Sequence, residues 1–193
     1  SDSGNFYATV RPETLLGGSA PDLETPKFLA IVSSFGLAQA LASDPEIRPY
    51  GFVVEGSAAG GHNAPPSKVK FDEKGRPILV YTEQDQADIP AIAGLGLPFW
   101  LAGAYATPAR LRKALDSGAA GIQFGTLAAL SGQSGFRADL RAQALKAIAG
   151  GELKVSDTMM SPTGFPFKVA HLPGTISDEK VYQVRRRICD ISM

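Results

Sequence analysis

The sequence predicts an α/β protein built on parallel strands. Three features carry this expectation: short apolar runs that are continuous rather than alternating, helical patterns that follow several of them, and a repeated strand spacing. The apolar runs cover 28–32, 50–54, 97–101 and 120–124. Continuous runs suit strands buried on both faces, because an alternating strand leaves one face to water. The clearest helix follows the third run. Thr107 serves as its N-cap and Pro108 as its first residue, and Gly118 stands just past its end. Leu111, Ala114 and Leu115 give it one apolar face. A second helix is predicted over 138–149, stopped by Gly150 and Gly151. Strand then helix, repeated, brings strands into parallel register through right-handed crossovers.

The spacing adds a location. The first two runs start 22 residues apart, and the last two, counted from Pro98 and Ala120, do the same. The middle interval is 48, which leaves about 26 extra residues after the strand ending near Glu55. The C-terminal ends of parallel strands are where α/β enzymes place their sites. A long segment inserted there reads as functional.

Composition excludes several classes. With 19 basic and 19 acidic residues the chain has no net charge, against the basic excess of a nucleic-acid binder. No apolar run approaches the roughly 20 residues needed to span a bilayer, and the first residues do not resemble a secretory signal. A single cysteine, Cys189, cannot form an internal disulfide and suits a reducing, cytoplasmic setting. Glycine, at 21 of 193 residues, exceeds the average of about 7%, so its positions need explaining.

The insertion opens with a glycine-rich run that includes Gly60, Gly61 and His62. Two glycines before a histidine let backbone approach a ligand while the imidazole points at it. The same residues also suit a tight turn with a solvent-facing histidine. Gly103 follows the third strand, and Gln123, Phe124, Gly125 and Thr126 end the fourth. Two such ends on adjacent strands can form a phosphate cradle, or simply two tight βα turns. The proline- and phenylalanine-bearing segment 161–168 either covers a site or packs as a loop with Lys168 solvated, and composition favours the loop. His171 lies outside any glycine-rich context and reads as structural. Cys189 has no histidine nearby in sequence and reads as a buried residue of the terminal segment, and the run Arg185, Arg186, Arg187 as a solvated or locally paired face. No metal-ligand cluster, P-loop or Ser-His-Asp order is legible. The absence of Gly-x-Gly-x-x-Gly after any strand disfavours a Rossmann site.

Several of these stretches resemble one family. Val53 to Gly56, Ala59 to Pro66, Leu97 to Gly103, Gly118 to Thr126 and Ser161 to Lys168 are similar, in order, to the nitronate monooxygenase (2-nitropropane dioxygenase-like) flavoproteins, over roughly residues 26 to 190. The resemblance implies a (β/α)8 TIM-barrel type fold of which about four β/α units, the C-terminal half-barrel, are present. It implies FMN as cofactor, with His62 as active-site base, Gly60 and Gly61 against flavin or substrate, and a phosphate cradle at Gly103 and at Gln123, Phe124, Gly125 and Thr126. No metal is implied.

Departures from the family pattern include Ala104, where a second glycine is frequent, and Ser57, Ser67 and Lys68 around the histidine loop. On this reading 1–25 is an N-terminal segment, 26–150 the half-barrel, and 151–193 an extension packing on it. The N-terminal half-barrel is then expected in cis or from another chain, and a homo-oligomer is expected. The implied activity is oxidation of small alkyl nitronates or nitroalkanes with dioxygen. Two alternatives accompany it: a flavin-dependent enoyl-ACP reductase type of enzyme, and a non-catalytic half-barrel acting as a partner module.

Overall fold

The computed structural model describes residues 9–19, 24, 26–73, 75, 77–160 and 165–186. Its centre is a four-stranded parallel sheet of β1 (Leu29–Val32), β2 (Gly51–Glu55), β6 (Phe99–Ala102) and β7 (Gly121–Gln123), in that order. Each falls within one or two residues of an apolar run read from the sequence. Helices connect them: α2 (Phe35–Ser43) between β1 and β2, α3 (Ile89–Ala93) before β6, and α4 (Pro108–Asp116) before β7. The architecture is therefore α/β with a parallel sheet.

Register explains the core. Val32, Val54, Leu101 and Ile122 align across the sheet, and Ala30, Phe52 and Phe99 form a second row two residues earlier. Both rows belong to one apolar cluster with Ala38, Ile92 and Ala114 from the three helices. Phe52 and Ile92 are fully buried, each worth about 1.5–3 kcal/mol of transfer free energy. The opposite face carries the row Ile31, Val53, Trp100 and Gly121. Gly121 yields its space to the indole: a Cβ there would lie 3.0 Å from Trp100 Cδ1. Ile31, in the edge strand, is 58% exposed, so β1 is not buried on both faces as its continuous apolar run suggested.

Helix α4 begins as its sequence dictates, with the Thr107 hydroxyl accepting from the Arg110 N–H at 3.3 Å and proline in the first turn. Its apolar face is narrower than predicted. Ala114 is buried, whereas Leu111 and Leu115 are exposed. The helix packs on β7, the last strand of the sheet, and among the described residues no further strand lies beyond it for the side chains flanking Ala114 to cover. Helix α6 (Ala138–Ala149) spans the predicted residues and ends at Gly150. At the other end of the chain, α1 (Pro12–Leu16) buries no residue.

The insertion after β2 has more structure than its composition announced. It contains β3 (Gly61–His62), then a hairpin of β4 (Lys68–Phe71) and β5 (Pro77–Val80). Asp85, in the 3-10 turn Glu83–Asp85, closes the hairpin base. Its carboxylate accepts from the Ser67 N–H at 2.6 Å and the Thr82 N–H at 2.7 Å. Those bonds hold its pKa down at about 2.

Late in the chain, β8 (Val155–Met160) pairs antiparallel with β9 (Pro166–Ala170), and β9 pairs with β3. The loop expected over 161–168 is thus corrected: 166–168 belong to a strand, while 161–164 lie outside the described residues. The two-residue β3 gave no periodic signal, so only the fold reveals its partner. The final helix is α7 (Glu179–Val184). Cys189 and Arg187 lie outside the described residues. Among the described residues no helix is long and apolar enough to cross a membrane.

Candidate functional site

The C-terminal ends of β2, β6 and β7 open onto two adjoining clefts. The first, of about 850 Å³, is lined by His62, Asn63, Gly60 and Glu55 together with residues of β1, α2 and the hairpin base. The second, of about 500 Å³, is lined by Gly60, Gly61, Gly103, Gln123, Phe124, Gly125 and Thr126. All eight residues singled out from the sequence therefore reach the same end of one sheet. They divide, however: His62 faces the first cleft, the strand-end turns face the second, and Gly60 and Glu55 border both.

His62 is held from behind. In β3 it stands opposite Phe167 of β9, whose ring meets the imidazole edge-on with centroids 4.7 Å apart and planes at 75°. The neighbouring Lys168 is not simply solvated. It is partly buried, and its ammonium donates to the Ser57 carbonyl, which ties β9 to the start of the insertion. The next residue after His62, Asn63, donates its backbone N–H to the Pro166 carbonyl at 2.9 Å. The glycine-rich run is thus anchored at both ends by one late strand, and the imidazole remains exposed to the cleft.

Asn63 is the residue that sequence reasoning passed over. It is 6% exposed, and its side-chain Nδ2 is buried without a hydrogen-bond partner. An unmade buried donor costs about 1–3 kcal/mol. Asparagine in a Gly/Pro-rich run reads as a surface turn residue, so only burial reveals it. Glu55 was also unassigned. It ends β2, half-buried between the clefts, and burial raises its carboxyl pKa above the ordinary value of 4.5.

The second cleft has a different chemistry. Among its described lining residues, Glu55 is the one acidic or basic side chain apart from tyrosine. A phosphate there would rely on backbone N–H groups rather than on lysine or arginine. Gly103 has φ +92°, and a Cβ on it would sit 2.8 Å from the Ala59 backbone nitrogen. Ala104 adopts φ +61°, left-handed for a residue with a side chain, and its carbonyl accepts from Arg110 Nη1 at 2.6 Å. The short helix α5 (Thr126–Ala129) starts directly after Gly125.

His171, read from the sequence as structural, is hydrogen-bonded within its own region and lines neither cleft. One ring nitrogen lies 2.7 Å from Ser156 Oγ and the other 3.1 Å from the Ser177 carbonyl. Among the described residues no group of three or more histidine, cysteine or carboxylate side chains is arranged to hold a metal ion. Set against known protein families and curated proteins, the chain matches none of them.

Proposed function

We propose that this chain forms part of an FMN-dependent oxidoreductase of nitronate monooxygenase type, with the flavin phosphate in the second cleft and a small nitro compound in the first. One observation carries the reading. The histidine loop and the two glycine-bearing strand ends, far apart in sequence, converge at one end of one parallel sheet in clefts that share Glu55 and Gly60. The residues present fit the group. A Cβ placed on Gly60 or Gly125 meets nothing within 4 Å, so the space before both is open to a ligand. The N–H groups opening α5 have no acceptor within the helix.

FMN bound there would supply the electron-accepting chemistry that side chains lack, with dioxygen as the final acceptor. The protein's own part is proton transfer and orientation. His62 takes the proton from the carbon α to the nitro group, and the bonding pair moves onto the nitro oxygens to give the nitronate. Offered a nitronate directly, a ring N–H of His62 can donate to the anion. Phe167 keeps the ring edge fixed, and exposure of His62 lets its proton leave to water.

The same reading takes the parallel sheet as half of a (β/α)8 barrel whose interior row is Ile31, Val53, Trp100 and Gly121. The remaining strands come in cis or from another chain. In support, among the described residues β1 and β7 each pair on one side only, and unpaired edges are a hazard that proteins usually cover. Exposed apolar side chains at those edges, Phe28 and Ile31 on one and Phe124 and Leu127 beyond the other, favour one competing reading: a partner module without chemistry of its own.

Nitronate-dependent oxygen uptake separates the two. The flavoenzyme carries a flavin spectrum, and His62→Ala lowers its rate about 10²–10⁴-fold. Equal rates would remove His62 from the mechanism. A colourless protein without oxygen uptake would favour the partner module. Anaerobic reoxidation of reduced flavin by a crotonyl thioester would replace nitronate oxidation with enoyl reduction.

A further inference from the structure

The first cleft contains a buried donor with nothing to bond. Asn63 is fixed to β9 through its backbone and lines the cleft beside His62, yet its Nδ2 lacks a partner. Native chains rarely keep such a group without a ligand, water or functional reason. The amide turns about a terminal torsion that is broad and soft, so its orientation can change while the backbone bond to Pro166 stays in place. Further along the same cleft the wall is apolar. Ile31 and Leu37 line it while 58% and 46% exposed, and Phe35, packed against the core, lines it as well. Three carboxylates, Glu55, Asp85 and Asp88, also border it, and none of its described lining residues is lysine or arginine.

We propose that Asn63 binds the substrate's oxygen-bearing head, its amide donating to a nitro or nitronate oxygen beside His62, and that an uncharged alkyl tail lies along Ile31, Phe35 and Leu37. This rests on the nitro-compound reading above and narrows it. A hydrophobic tail gains from covering that wall, whereas a second negative group would meet the three carboxylates. The paired donor and base also divide the labour: Asn63 orients the head and His62 handles the α proton.

The test uses the flavin-loaded protein labelled with 15N at asparagine, with butane-1-nitronate as probe. The Asn63 side-chain amide signals are expected to shift on titration. Asn63→Leu, close in size but without the donor, is expected to weaken binding about tenfold or more, as for loss of a hydrogen bond to a charged group. It should leave the ligand-free Tm equal or higher, because the unmade donor is gone. Asn63→Ser provides the binding comparison if the leucine variant fails to fold. An unmoved amide signal at saturation, or unchanged affinity in the variants, would overturn the role of Asn63. A lowered Tm with intact binding would make the amide structural.

The nitronate of 3-nitropropionate, with its added carboxylate, should bind at least tenfold more weakly, and equal affinity would overturn the placement of the tail. Asn63-dependent binding without oxygen uptake would sink nitronate oxidation and leave this assignment standing. Oxygen uptake with an unaltered KM in Asn63→Leu would do the reverse.

Discussion

The ends of β6 and β7 both turn on a glycine, and the two glycines are there for opposite reasons. At Gly103 the protein itself requires it. The backbone is left-handed at φ +92°, and the Ala59 nitrogen occupies the place a Cβ would need. That contact presses the end of β6 onto the turn at Gly56–Ala59, which carries the chain toward Gly60, Gly61 and His62. At Gly125 φ is −111°, open to any residue, and a Cβ would meet nothing within 4 Å. The first glycine is explained by packing alone. The second faces empty cleft, and a ligand gives it a reason. A glycine at a strand end is therefore not by itself a sign of a phosphate site, and its surroundings decide.

Substitution at these positions breaks or sharpens the contrast. Gly103→Ala is expected to cost about 2–4 kcal/mol in urea unfolding, from left-handed backbone strain and a clash with main chain that cannot withdraw. A loss under about 1 kcal/mol would show that the turn at Ala59 yields, and would erase the difference between the two strand ends. Gly125→Ala should leave unfolding within about 0.5 kcal/mol of wild type while the flavin retained through purification falls several-fold. Unchanged flavin content would place the phosphate elsewhere.

The smallest effect belongs to Glu55, at the third strand end, between the clefts. Its folded carboxyl holds a proton more tightly than the unfolded one, so its ionisation counts against the fold as pH rises above the ordinary 4.5. Glu55→Gln should thus raise Tm slightly at pH 7, and the gain should vanish below about pH 4.5. A gain that persists in acid would point to packing rather than charge.

Much of the frame was legible before folding was considered. Four apolar runs became four strands, most fully in β2 and β6, where burial in a parallel sheet demands side chains like those of Phe52, Val54 and Leu101. Thr107, Pro108 and Gly118 set the bounds of α4 because capping is chemistry between near neighbours. The positions of His62, Gly103 and Gly125 were visible too, since strand ends and glycines punctuate a chain locally.

What stayed hidden depended on partners distant in sequence. The Lys168 ammonium reaches the Ser57 carbonyl across 111 residues, and β3 exists only because β9 lies beside it. The four strands of the parallel sheet, the Thr107 cap and the candidate residues were readable along the chain, because these follow from local sterics and apolar patterning. Tertiary structure alone decided that His62 and the strand-end glycines occupy two clefts instead of one. It also left Asn63 buried beside the histidine with an unmade hydrogen bond, since burial and hydrogen-bond satisfaction are properties of a packed neighbourhood and not of a stretch of chain.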